Sequence, residues 1–444
     1  MLVDHTPRNA LDNGVDLAYA DAMSTSSAID SSPTSPQAIR EQVQYWIAEN
    51  WDPDRSLVEW RGLLLDAGWA VPAWPESWHG RGWPEWTDPL VAAEILAAGA
   101  VGTPVGAGTI LAGPTILTHG DDDVRKRFLR PILTGEETWC QLFSEPGAGS
   151  DLAGLTTRAV LDGDEWIING QKLWTTSAHH ADFGILVART DWDAPKHRGL
   201  TYFAIPMHQP GVEVRPLRQM NDHSSFNEVF LTDARIPKDY VIGEVNDGWS
   251  VALTTLAFER RAGTLVRPQY SNENGRALEE ARREAEDYFQ TYRWYPQRLG
   301  RVDLVVERAI ETGRSSDPVV RQEIARLFSR NRTMQWTADR ARAAQEVGRP
   351  PGAEGSLGKL ALSRVAQQAS RVHTLIEGAD GMLAGADAPL GGVITEVLLS
   401  VPAQSIAGGT DEIQKNIIGE KVLGLPREPA VGKDVPFREI PRNS

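Results

Sequence analysis

Apolar positions recur along this chain at two periods, and the period switches twice. Over 37–135 the spacing is helical: Ile39, Val43 and Ile47 fall every fourth residue and make one apolar stripe. "TDPLVAAEIL" predicts a helix start with Asp88 as N-cap and Pro89 at the first helical position. "GDDDVRKRFLRPIL" predicts another, acids leading and bases following, as the helix dipole favours. Over 136–242 apolar and polar residues alternate instead. "TTRAVLDGDEWIINGQKLWTT" carries Asp-Gly and Asn-Gly turn signals, and "GILVART", "LTYFAIPM", "VEVRPL" and "NEVFLTDARIP" continue as short strands. Over 243–427 the helical period returns. "DPVVRQEIARLFSRNRTMQWTADRARAAQ" is long and amphipathic, with Asp317-Pro318 at its start, and long helices in series predict a bundle. Residues 1–36 are rich in Ser, Thr and Pro and poor in bulky apolar side chains, which predicts a disordered leader. Residues 428–444 are Pro-rich and predict an extended tail. The expected fold class is therefore α+β, with helical, β and helical segments in that order.

Composition narrows the function classes. The 444 residues include 41% hydrophobic ones, enough for a substantial core, and carry a net charge of −15, which argues against broad nucleic-acid binding. Cys140 is the only cysteine, so no intrachain disulfide forms. No apolar run is long enough to span a bilayer, and the start lacks a basic region followed by an apolar one, so a cytoplasmic protein is expected. "EGSLGKLALS" lacks the glycine spacing of a Walker phosphate loop, and "PGAGSDLAG" is not GxGxxG. His179-His180 has no HExxH spacing or convergent carboxylate, so no metal site is expected, and no GxSxG elbow occurs.

One carboxylate stands out in "TTLAFERRAGT". The helical neighbours of Glu259 are Thr255, Leu256, Ala262 and Gly263, none of them basic. Arg260 and Arg261 are adjacent in sequence but project elsewhere. Taken alone, Glu259 and Arg260 read as partners in ion pairs with other helices. Likewise Trp174, in a chain with 15 Trp, reads as a buried strand residue.

Two further motifs change that reading. "SEPGAGSDLAG" enters the β segment and "AGGTDEIQKNIIGEKVLGLP" lies near the end. Together with the order of segments, over about 37–427, they resemble the acyl-CoA dehydrogenase family. The resemblance implies a helical N-terminal domain, a central β-barrel or sandwich domain and a C-terminal four-helix bundle. It implies non-covalent FAD, oxidation of an acyl-CoA thioester to trans-2-enoyl-CoA, transfer of electrons to an electron-transferring flavoprotein, and a homo- or hetero-oligomer, dimer or tetramer. By the same resemblance Phe143 and Ser144 contact the flavin ring, Gly149 and Ser150 lie at the boundary of FAD and pantetheine, Trp174 packs on the ring, and Thr176 bonds near N5. Thr410 and Glu412 match cofactor positions reached from a neighbouring subunit, Arg314 stands near a pyrophosphate position without the usual Phe-Gly after it, and Gly378 matches the Gly-rich segment on the adenine side. Many members carry the catalytic glutamate where this chain has Gly408. A minority, including isovaleryl-CoA and long-chain acyl-CoA dehydrogenases, place it in a Glu-Arg pair after the β domain, and "AFERRAGT" matches with Glu259 and Arg260. The resemblance thus makes Glu259 the base, Arg260 a residue of the substrate cavity, and the Gly408 amide a donor to the thioester carbonyl. "EEARREAEDYFQTYRWYPQRLG" diverges from the family pattern. Two alternatives stay open: a non-catalytic or partner-dependent subunit of a heteromeric dehydrogenase, and a flavin oxidase or monooxygenase on the same fold.

Overall fold

The structure is a computed structural model that describes residues 35–261, 267–346, 352–427, 432 and 434–441. Residues 1–34, most of the expected leader, lie outside the described residues, as does much of the expected tail, while Ser35 and Pro36, expected in the leader, cap and open the first helix.

Five helices come first: α1 (Pro36–Asn50), α2 (Leu57–Asp66), α3 (Thr87–Ala97), α4 (Gly113–His119) and α5 (Asp122–Thr134). Their starts follow capping chemistry. Ser56 and Glu59 form a reciprocal capping box on α2, and Asp121 accepts from the amides of Asp123 and Val124 on α5. The α3 start differs from expectation. Trp86 is the N-cap and Asp88 lies inside the first turn, because the Asp88 carboxylate instead accepts from the Ala73 amide at 2.8 Å, tying α3 to the preceding loop. The stripe Ile39, Val43 and Ile47 is buried against Trp60, Leu64, Val91 and Ile95.

The strands β1 (Trp139–Leu142), β2 (Arg158–Asp162), β3 (Glu165–Thr176), β4 (Phe183–Arg189), β5 (Leu200–Pro206), β6 (Val212–Leu217) and β7 (Phe226–Pro237) form one sheet. Its order is β1-β4-β2-β3-β7-β6, with β5 on β4. The two turn dipeptides behave differently. Gly163, at φ 63°, makes the β2–β3 hairpin, whereas Asn169-Gly170 lies inside β3 at a shift of register against β7. A Cβ at Gly170 would stand 2.4 Å from the Thr157 hydroxyl oxygen, so glycine there permits a close crossing rather than a turn.

After the sheet come α6 (Gly248–Arg261), α7 (Arg276–Thr291), α8 (Tyr295–Arg298), α9 (Val305–Glu311), α10 (Pro318–Glu346), α11 (Glu354–Glu377), α12 (Val393–Ser400) and α13 (Asp411–Ile417). Helices α9, α10 and α11 share one apolar core around Leu327, Val365 and Val372. Helix α7 returns to the first helices, where Leu278 and Ala281 enter their core. Helix α6 joins a core shared by α4, α5 and the sheet, through Val251 and Ala252. No helix among the described residues is long and apolar enough to cross a membrane.

Candidate active site

The position of Glu259 is set one turn earlier on α6. Thr255 is fully buried, and its hydroxyl lies 3.0 Å from that of Thr115 on α4 and 2.9 Å from that of Tyr202 on β5. Residues four apart share a helix face, so the contact that seats Thr255 against the sheet carries Glu259 toward β1. There the side-chain amide of Gln141 faces the carboxylate. Glu259 is half-buried and forms no ion pair within 4 Å among the described residues. Burial pushes its carboxyl above the usual range, opposed by Gln141 and by the charges of Arg260 and Arg298. On the other side is Gly408, where an added Cβ would stand 3.7 Å from Glu259 Oε1. Two distant parts of the chain, α6 and the loop before α13, therefore meet at this carboxylate. Of the sequence neighbours used above, Ala262 and Gly263 lie outside the described residues. The Arg260 side chain is exposed.

The segments around Ser144 and Trp174 form one surface beside it. The Leu173 amide donates to the Ser144 carbonyl at 2.8 Å, and the Lys172 ammonium donates to the Phe143 carbonyl at 3.0 Å. Lys172 is fully buried, and also donates to the Val187 carbonyl at 2.8 Å and to Glu145 at 2.9 Å. Burial opposes ionisation of Glu145, but the Lys172 charge and hydrogen bonds from Thr157 and Thr156 outweigh it and hold the carboxyl at about 2. Just past this anchor β3 slips register against β7, between Lys172 and Thr175, and Trp174 takes a left-handed φ of 61°. The result is not a buried strand tryptophan. The indole is 53% exposed and rests edge-on against Phe226 at 5.7 Å. Phe143, just past the end of β1, packs on Tyr202 at 5.8 Å, the same ring whose hydroxyl meets Thr255. Tyr202 thus touches both the Phe143 side and the helix that carries Glu259.

These residues fit an isoalloxazine. A bare indole face suits the apolar ring, and the partly exposed hydroxyls of Ser144 and Thr176 supply the hydrogen-bonding groups that its polar edge needs. Beyond them the loop holding Gly149 and Ser150 is exposed, and nothing stands within 4 Å of a Cβ built on Gly149. The remaining candidates make other contacts. Arg314 is exposed and 3.8 Å from Asp317, Gly378 caps α11 at φ 59°, Thr410 caps α13 by accepting from the Ile413 amide, and Glu412 pairs with Lys415 at 3.4 Å. Among the described residues no hydrogen bond or ion pair joins these four to the Ser144 and Trp174 surface. No group of three or more metal-ligating side chains occurs among the described residues.

Sequence models of the acyl-CoA dehydrogenase N-terminal, middle and C-terminal domains match residues 36–136, 140–234 and 301–423. This chain belongs to the acyl-CoA dehydrogenase family. The acyl-CoA dehydrogenase IpdE1 of Mycobacterium tuberculosis is 34% identical over 412 residues, covering 88% of this chain and 98% of the relative. Acyl-CoA dehydrogenase FadE34 of the same organism is 38% identical over 371 residues, covering 82% of this chain but 46% of the longer relative. Among solved structures, the Tcur3481-Tcur3483 steroid ACAD matches with a TM-score of 0.63 and 26% identity, over 88% of this chain and 98% of that one. The ChsE4-ChsE5 complex from Mycobacterium tuberculosis matches with a TM-score of 0.62 and 26% identity over the same shares. The dehydrogenase is thus an oxidoreductase acting on acyl-CoA, and FAD is the family's cofactor.

Sequence reasoning did not single out three residues that the structure links to Glu259, directly or through one another. Gln141 stands three residues before Ser144, inside a strand, and nothing local marks it. Arg298 and Gln404 bond to each other at 2.7 Å across 106 positions of sequence. Only the divergence of "YRWYPQRLG" signalled Arg298, and it gave no role.

Proposed function

We propose that this enzyme oxidises an acyl-CoA thioester to its trans-2-enoyl-CoA, with Glu259 removing the α-proton. The observation that carries the reading is the meeting of an unpaired, partly desolvated carboxylate with the Gly408 backbone, next to a surface that fits a flavin. The α-hydrogen of a thioester is a weak acid, and a carboxylate takes it only if its own basicity is raised. Burial raises Glu259 in that direction, and a bound acyl chain that expels water raises it further. The Gly408 amide is a donor to the thioester oxygen, stabilising charge that builds there as the proton leaves. When bound, FAD supplies the hydride acceptor for the β-carbon. Trp174, Ser144 and Thr176 hold and orient it, and the Lys172–Glu145 pair fixes the strand ends that carry them. An electron-transferring flavoprotein is the oxidant that completes the cycle.

Anaerobic mixing of the FAD-loaded enzyme with a panel of acyl-CoA thioesters tests this. Loss of the flavin absorbance band with formation of enoyl-CoA is expected for at least one acyl class, and Glu259→Gln is expected to slow it by ~10²–10⁴-fold while FAD stays bound. Bleaching of that variant at the parent rate contradicts the assignment.

A second reading is supported by the lack of any hydrogen bond or ion pair, among the described residues, between Arg314, Gly378, Thr410 or Glu412 and the Ser144 and Trp174 surface. In it these four serve a cofactor bound largely by another chain, so that this one is a partner-dependent subunit. Weak yellow colour alone and full FAD occupancy only with a second chain favour that arrangement.

A further inference from the structure

The segment that departs from the family pattern contains a buried cation with no counter-ion. Arg298, the last residue of α8, is 8% exposed. Its Nε donates to Gln404 Oε1 at 2.7 Å, and its guanidinium lies 4.9 Å from the ring centre of Tyr295 and 5.8 Å from that of Trp294. No carboxylate lies within 4 Å of it among the described residues, and its two terminal nitrogens make no hydrogen bond there. The neighbouring cation is compensated: Lys359 pairs with Asp411 at 3.5 Å and donates to the Gln404 carbonyl at 2.8 Å. Arg298 is left as the unmatched charge. The two terminal nitrogens are unbonded but keep accessible surface, so an oxygen brought by a ligand can reach them.

Its location says which ligand. Gln404, held by Arg298, leads directly into Gly408, whose Cβ position abuts Glu259. The charge of Arg298 is felt at the Glu259 carboxyl, yet no ion pair within 4 Å joins them. On the α7 side of Arg298 stand three phenol rings in contact, Tyr288 on Tyr292 at 4.9 Å and Tyr292 on Tyr295 at 4.8 Å. Partly exposed aromatic rings favour contact with an apolar body, and the guanidinium beside them favours an oxygen on it.

Resting on the dehydrogenase reading above, we propose that Arg298 determines specificity by binding an acceptor oxygen of the acyl group other than the thioester carbonyl. The substrate is then an acyl-CoA whose acyl part carries a carboxylate or a ring or chain carbonyl, not a plain hydrocarbon chain. Arg298 takes no part in proton or hydride transfer.

The test uses the FAD-loaded enzyme and three thioesters of matched length: a hydrocarbon acyl-CoA, an ω-carboxyacyl-CoA and an oxoacyl-CoA. Flavin bleaching gives kcat/KM for each, and calorimetric titration of the corresponding enoyl-CoA products gives affinity independently of turnover. The parent enzyme is expected to prefer an oxygenated substrate, the carboxylate and carbonyl arms telling charge from simple acceptance. Arg298→Met is expected to lose ~10–100-fold on the preferred oxygenated substrate, the range for a charge-assisted hydrogen bond, and distinctly less on the hydrocarbon. The loss should fall mainly in KM and product affinity, with Arg298→Lys recovering part of it. FAD content and Tm of both variants show whether they fold. An equal loss on all three substrates, or a parent preference for the hydrocarbon, overturns the proposal while leaving the dehydrogenase reading intact. Bleaching by none of a wide acyl-CoA panel overturns both.

Discussion

At the residue scale the site depends on one carboxylate kept basic by its surroundings. The Glu259 carboxyl is raised by burial, so its ionised form is less stable in the fold than in the unfolded chain. The linkage has a definite sign. The penalty is absent below the unfolded carboxyl's range, grows as pH rises through the gap between unfolded and folded values, and is constant above it. Glu259→Gln should therefore leave Tm unchanged in acid and raise it at neutral pH, which a melting series from acid to neutral pH reads directly. Activity follows the same group with the opposite benefit, because the base works only when ionised. kcat should fall on the acidic side at a pH above the ordinary carboxylate range, and substitution of Gln141, which favours the charged form, should move that limb to higher pH.

At the scale of elements, α6 and the bulged end of β3 do the positioning. Thr255→Val removes the buried partner of the Tyr202 and Thr115 hydroxyls, and an expected loss of about 1–3 kcal/mol in unfolding free energy should come with slower turnover, since Glu259 stands one turn further along. Lys172→Met strips the counter-ion from a fully surrounded Glu145 and is expected to cost about 3–5 kcal/mol, with loss of FAD on gel filtration as the sharper readout. How far these elements could be seen in advance differs. Ile39, Val43 and Ile47 announce α1 because burial on one face imposes the helical period. Alternation announces β2 and β3 for the same reason. The absence of basic neighbours around Glu259 was legible too, being a local property. Gln141, Arg298 and Gln404 were not, since their partners come from other elements. Asp88 misled because an acid before Pro satisfies local capping rules, while its true partner, the Ala73 amide, lies fifteen positions away. Asn169-Gly170 misled because a glycine demanded by a close crossing of chains looks, in sequence, like one demanded by a turn.

At the scale of the whole molecule, α7 ties the helices on either side of the sheet together. Buried Arg61 on α2 donates to Glu284 on α7 at 2.7 Å and 2.8 Å, and to the Thr134 carbonyl at the end of α5. Arg61→Leu removes all three of these hydrogen bonds and, since the Glu284 left behind is a third exposed, is expected to destabilise the protein by about 1–3 kcal/mol in denaturant unfolding. The same scale bears on assembly. The candidate cofactor residues of the C-terminal helices share no hydrogen bond or ion pair with the Trp174 surface among the described residues, so the account expects FAD occupancy to rise with oligomer formation, measured as flavin per chain across a dilution series.

The central claim is that Glu259 takes a proton from the carbon next to the thioester, and it can be separated from every later event. An acyl-CoA with sulfur in place of the β-carbon keeps an acidic α-hydrogen but has no β-hydrogen to lose. Incubated with the enzyme in heavy water, it should gain deuterium at the α-carbon, and Glu259→Gln should suppress that gain by orders of magnitude. Exchange that continues undiminished in the variant would show that another group is the base, and the reading of this site would be wrong.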